Sequence, residues 1–182
     1  SHRLSQTTGA TILLKREDLQ PVRSYKIRGA YNLISQLTQE QRDHGVICAS
    51  AGNHGQGVAL AAANLGVKAV IFVPSTTPQQ KRDRMLALGG DFVRLEVTGE
   101  TYDDSSRAAR IEAERTGMVM VPAFDDARTI AGQGTVAREI VGQLGEAPDV
   151  MLIPVGGGGM IAGMATWLAE HCPHTRIVGL EP

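Results

Sequence analysis

Short apolar runs alternate along the whole chain with segments of helical periodicity, and this alternation restricts the fold more than any other feature. The runs fall at residues 11–14, 46–49, 69–73, 91–95, 118–121, 150–154 and 176–180. Between them, residues 26–37 carry Ile27, Ala30, Tyr31, Ile34 and Leu37 at the spacing of one helix face. Further helices are predicted over 57–65, closed by Gly66, over 78–88 with Pro78 in its first turn, over 102–116, and over 160–171. One more is predicted over 129–144, interrupted near Gly132-Gln133-Gly134. Strand-helix alternation of this kind specifies an α/β protein with parallel sheets, and continuous apolar strands are those covered on both faces. With 182 residues there is room for one domain or two small lobes. The chain stops directly after a strand, so an incomplete sheet is expected there.

Composition removes several classes of function. A hydrophobic fraction of 42% with a net charge of −1 excludes disorder and argues against a general nucleic-acid binder. No apolar run approaches the roughly 20 residues of a membrane span, and the first residues are not a signal peptide. Cys48 and Cys172 are too few for a disulfide framework, so a reducing, cytoplasmic setting is expected. Aromatic residues are 4%, which requires an aliphatic, alanine-based core. The 21 glycines cluster at residues 52–57 and 156–159, where backbone must approach something closely.

Three segments carry candidate chemistry. Ser24-Tyr25-Lys26-Ile27-Arg28-Gly29 puts a lysine at a helix start beside two arginines, Arg23 and Arg28, a setting that favours its neutral, nucleophilic form; a solvated basic helix start is the alternative. Ser50-Ala51-Gly52-Asn53-His54-Gly55-Gln56-Gly57 lies between a strand and a helix, where free N–H groups bind an anion such as a carboxylate; the alternative is a tight turn with His54 in solvent. Gly156, Gly157, Gly158 and Gly159, followed by Met160, again join strand to helix and offer exposed backbone to a phosphate. The same stretch, with Gly163 and with Glu181 after the next strand, approximates a dinucleotide-binding unit, but that leaves Lys26 and the Asn53 loop without a role. His171-Cys172-Pro173-His174 reads as a surface loop rather than a metal site, and Lys81-Arg82-Asp83-Arg84 as a solvated helix face.

Taken together, in their order, these segments resemble the fold type II pyridoxal-phosphate enzymes, the tryptophan-synthase β family, and within it the threonine dehydratases. Ala131-Gly132-Gln133-Gly134-Thr135 matches as well, and the resemblance covers essentially the whole chain. It implies a two-lobe, three-layer αβα architecture with parallel sheets. Residues 1–45 and 123–182 would belong to an incomplete large lobe and residues 46–122 to the small lobe. It implies pyridoxal 5'-phosphate as cofactor, bound through Lys26 and oriented by Asn53. Its phosphate would be held by Gly156, Gly157, Gly158, Gly159 and the Met160 amide. Ser50, Asn53 and His54 would border the substrate carboxylate. Glu181 stands where some relatives place a cation ligand; no other metal residue is expected.

The implied activity is deamination of threonine to 2-oxobutanoate and ammonia, towards isoleucine. A serine dehydratase or serine racemase is the nearer alternative. A nicotinamide-dependent oxidoreductase and a non-catalytic binding module are the more distant ones. Ala51 stands where racemases of the family carry a second serine, and alanine has no proton to donate. The expected partners are a small amino-acid substrate and further copies of the same chain, with neither nucleic acid nor membrane.

Overall fold

The computed structural model describes residues 1–181; Pro182, the last residue of the expected large-lobe segment, lies outside the described residues. The alternation resolves into two parallel sheets. β1 (Val46–Ala49), β2 (Ala69–Val73), β3 (Val93–Val97) and β4 (Val119–Met120) form one, in the order β3-β2-β1-β4. β5 (Val150–Pro154) and β6 (Arg176–Leu180) form the other. Val46 of β1 pairs with Ala69 on one side and Val119 on the other, so β1 is central.

Every residue of β1 and β2 is buried, as their continuous apolar sequences require. Side chains alternate across the sheet. Val46, Cys48, Ile71 and Val73 join α4 (Asn53–Leu65), with its Ala59, Ala61 and Ala62, and Met85 of α5 (Gln79–Gly89) in one core. Ile47, Ala49, Val70 and Phe72 face Ala109 of α6 (Tyr102–Thr116) in another. β5 departs from the two-faced expectation. Its Met151 and Ile153 pack with α7 (Ala127–Leu144) and α8 (Gly159–His171), whereas Leu152 between them is 61% exposed.

Four further expectations are corrected. Residues 11–14 form no strand; they have no regular structure and no ladder partner, and Leu13 and Leu14 are exposed. The predicted strand 91–95 starts later, because Gly90–Phe92 make a 3-10 turn first. The helix after β1 begins at Asn53 rather than at residue 57, which puts Asn53, His54 and Gln56 of the polar motif on its first turns. Two short helices add to the expected set, α1 (His2–Thr8) and α3 (Gln39–His44), the latter with a reciprocal Thr38–Gln41 cap.

The fourth correction concerns α7, which runs unbroken. Its Gly132 and Gly134 are packing surfaces. A Cβ on Gly132 would lie 2.5 Å from the Arg28 carbonyl oxygen, and one on Gly134 would lie 2.7 Å from the Gly163 carbonyl oxygen. Glycine therefore lets α7 meet α2 (Lys26–Ser35) on one flank and α8 on the other at backbone contact. α2 also sends Ala30, Leu33 and Ile34 into the first core, so this one helix touches both halves of the molecule.

An ion cluster locks the same crossing. Arg28 makes paired bonds to Glu17 (2.7 and 2.8 Å) and to Glu139 (2.7 and 2.7 Å), and Lys15 reaches Glu139 at 2.7 Å. The bond from Arg28, then that from Lys15, hold the Glu139 carboxyl down at about 2. A depressed carboxyl stabilises the fold above its ordinary range near 4.5 and loses that contribution as pH falls towards 2. The gap in melting temperature between wild type and Glu139→Gln is therefore expected to be widest near neutral pH and to close on acidification below about pH 4.5. A gap independent of pH would refute the assignment.

Candidate active site

Lys26 is the first residue of α2. Its Nζ donates to the carbonyl of Ala123 at 2.7 Å and lies 5.3 Å from the centroid of the Tyr25 ring. Half-burial pushes the amine below the ordinary lysine value. This cause replaces the expected one, since Arg28 is neutralised by Glu17 and Glu139 and Arg23 is exposed, in a left-handed conformation (φ 55°).

The second motif leaves the carboxyl end of β1. Ser50 Oγ accepts from the Gly52 amide at 3.2 Å, and Asn53 stands exposed at the start of α4, whose first-turn amides have no helical partner. A Cβ on Gly57 would lie 3.1 Å from the backbone of Lys26, so the glycine brings α4 against the lysine's own main chain.

His54 is turned inward, which removes the alternative of a tight turn with His54 in solvent. It is 5% exposed, and its Nε2 bonds the Val121 carbonyl at 2.7 Å. Burial pushes its imidazole down to about 4, with the Lys26 charge adding to the effect. The ring is therefore neutral near pH 7, and because a carbonyl only accepts, Nε2 carries the hydrogen. Gln56 is buried too, and accepts from Arg84 Nε at 2.8 Å. Arg84 also donates to the Pro21 carbonyl at 2.8 Å and Arg82 to that of Thr77 at 2.8 Å. These two arginines are thus structural ties rather than part of a solvated face.

The third motif follows β5. Gly158 (φ 83°) caps α8, whose first-turn amides are free of helical partners. Nothing stands within 4 Å of where Cβ atoms on Gly156 and Gly158 would be. A Cβ on Gly159 would lie 2.9 Å from Phe124, and Phe124 also fills the side-chain space of Gly157.

All three motifs thus meet residues 121–124, a segment the sequence marked merely by Pro122 closing a strand. Its role towards Lys26 and His54 escapes sequence reading because carbonyl oxygens do that contacting and every residue type has one. The remaining candidates stay apart. Glu181 is exposed, and His171 stacks on Trp167 with ring centroids 4.4 Å apart. Among the described residues no three His, Cys, Asp or Glu side chains gather in a metal-binding group.

Open glycine backbone running into a helix N-terminus fits a phosphate, and a partly desolvated amine fits an aldehyde carbon. Fold and site together define a parallel α/β protein of fold type II whose glycine loop and half-buried lysine fit a phosphate-bearing aldehyde. The chain belongs to the pyridoxal-phosphate dependent enzymes, whose family model matches residues 1–182. It is 58% identical over 182 residues to the biosynthetic L-threonine dehydratase IlvA of Mycobacterium tuberculosis, a match covering 100% of this chain and 42% of that protein. The processed form of threonine deaminase isoform 2 from Solanum lycopersicum superposes with a TM-score of 0.94 at 48% identity, covering 100% of this chain and 49% of that one. Maize serine racemase superposes at 0.93 with 34% identity, covering 100% and 54%. The chain thus spans less than half the length of the curated relative.

Proposed function

We propose that the full-length protein deaminates L-threonine to 2-oxobutanoate and ammonia in isoleucine biosynthesis. The observation that carries this is the meeting of a half-buried Lys26 amine and an open glycine cradle across residues 121–124. Pyridoxal 5'-phosphate, when bound, supplies the electron sink that a carbanion at the substrate α-carbon needs. Lys26 anchors that cofactor and then holds and moves the α-proton at Nζ, a task suited to an amine whose burial favours the neutral form. Gly156, Gly157, Gly158, Gly159 and the Met160 amide bind the phosphate, and Asn53 orients the ring. Ser50 and Asn53, with the free amides of α4, take the substrate carboxylate, while His54 borders it from inside.

The small lobe comprises residues 46–122, and the segments before and after it belong to the large lobe. For residues 123–182 this reading is supported by the separate hydrophobic core of the second sheet, whereas α2 of the first segment packs into the core of the first. The same reading has the protein cytoplasmic and self-associating, which sedimentation of the full-length protein tests; no helix among the described residues is long and apolar enough to cross a membrane.

Assaying the full-length protein with L-threonine and L-serine tests the function. Threonine is expected to be preferred in kcat/KM by about tenfold or more, the worth of one methyl group in a fitted pocket. With Ala51 lacking a hydroxyl, chiral analysis is expected to find no accumulation of D-serine. D-serine forming faster than 2-oxo acid would make the protein a racemase instead.

A further inference from the structure

We propose that His54 is a positioning residue for Lys26, acting with Thr129 through the main chain of residues 121–123. The proposal rests on Lys26 being the lysine that carries the cofactor. Three successive carbonyls accept from three side chains on three helices. Val121 accepts from His54 of α4 at 2.7 Å, Pro122 from Thr129 of α7 at 3.3 Å, and Ala123 from Lys26 of α2 at 2.7 Å. The sheet releases the segment just before this point. The Val121 amide makes a ladder-type bond, to the Ile47 carbonyl at 2.9 Å, and Pro122 has no N–H to offer. Beyond Val121 the orientation of the peptides is therefore set by what grips their carbonyls.

His54 suits that task for a reason of charge. Its neighbour is an amine that must be able to lose its proton, and a second cation there would alter that equilibrium. A neutral, buried imidazole donates one directional hydrogen bond and brings no charge. Thr129, 1% exposed, also donates without charge. The grip extends one residue further, because Phe124 packs on Gly157 and Gly159 of the glycine loop. His54 thus fixes the lysine's carbonyl partner in relation to the phosphate cradle.

The test uses the full-length protein stripped of cofactor, with His54→Leu, His54→Gln and Thr129→Val. Pyridoxal 5'-phosphate is added, and borohydride is used to fix the bond between the Lys26 nitrogen and the cofactor carbon after the aldehyde oxygen has left as water. Mass spectrometry then counts attachment with time. Affinity for 4'-deoxypyridoxine 5'-phosphate, which has no aldehyde, reads the cradle alone. His54→Leu is expected to slow attachment about tenfold with deoxypyridoxine phosphate affinity changed less than about twofold, since misplacing a reacting group costs rate more than binding. Glutamine, whose carboxamide restores an uncharged donor, is expected to recover most of the rate, and Thr129→Val to slow it about threefold.

Attachment at the wild-type rate in His54→Leu, or a glutamine variant as slow as the leucine one, would overturn the proposal. If the leucine variant does not fold, glutamine near the wild-type rate together with slowed Thr129→Val supports the proposal, and any other result overturns it. If the wild-type protein itself attaches no cofactor at Lys26, the functional reading falls and this inference with it, an outcome distinct from a variant-specific defect.

Discussion

Alanine at position 26 of the full-length protein is expected to abolish covalent cofactor attachment and to lower kcat/KM for threonine by roughly a thousandfold or more, as when a residue carries several steps of a reaction. Lys26 is proposed both to anchor the cofactor and to move the α-proton, so no single remaining group can replace it. The fold should barely respond. The amine makes one hydrogen bond, to the Ala123 carbonyl, worth about 1 kcal/mol. Lys26→Arg should fail almost as completely, because a guanidinium keeps its proton at any working pH. Absorbance of the dialysed protein and 2-oxobutanoate formation check both variants. A Lys26→Ala protein that keeps its visible cofactor band and turns threonine over would remove Lys26 from the mechanism.

The largest expected effect on stability comes from a residue with no proposed chemical role. A Cβ on Gly163 of α8 would collide with the Ile130 carbonyl and lie 2.7 Å from the Gly134 amide nitrogen. Both obstacles are backbone of α7, so relief requires the helices to separate. Gly163→Ala is expected to lower stability by about 3 kcal/mol, the upper range for overpacking. Gly142→Ala, on the same α7 but exposed and with nothing within 4 Å, should raise it by about 0.5 to 1 kcal/mol through helix propensity. Urea denaturation of the two variants beside wild type gives both values. Equal effects would mean that close approach is not what these glycines serve.

The contrast also explains which parts of the molecule were legible in the sequence. β1 and β2 were, because both faces are buried and every position is apolar. Residues 11–14 have the same local signature and no strand, since pairing is decided by a partner and not by the run itself. The break expected at Gly132-Gln133-Gly134 treated glycine as a helix breaker, whereas the crossing of α2, α7 and α8 makes glycine the residue that permits the helix. α3 could have been found from Thr38 and Gln41, a capping pair plain in the sequence. At the site, Lys26, the Asn53 loop and the glycine loop were visible because side-chain type or glycine density marks them. The carbonyls of Val121, Pro122 and Ala123 carry no such mark, and neither does the inward turn of His54.

α2 lies between the two sheets and packs on both α4 and α7. Were one half of the molecule to rotate against the other about the helix packed on both, α2 would be the axle. Points near an axle travel least, and those at the rim travel furthest. Lys26, at the head of the axle, would keep its place through such a rotation, while Asn53 and Ser50 on one side and the glycine loop on the other would swing through the larger arcs. With the roles proposed above, the amine would be the fixed point of the reaction, and the segments proposed to hold substrate and phosphate would lie around it.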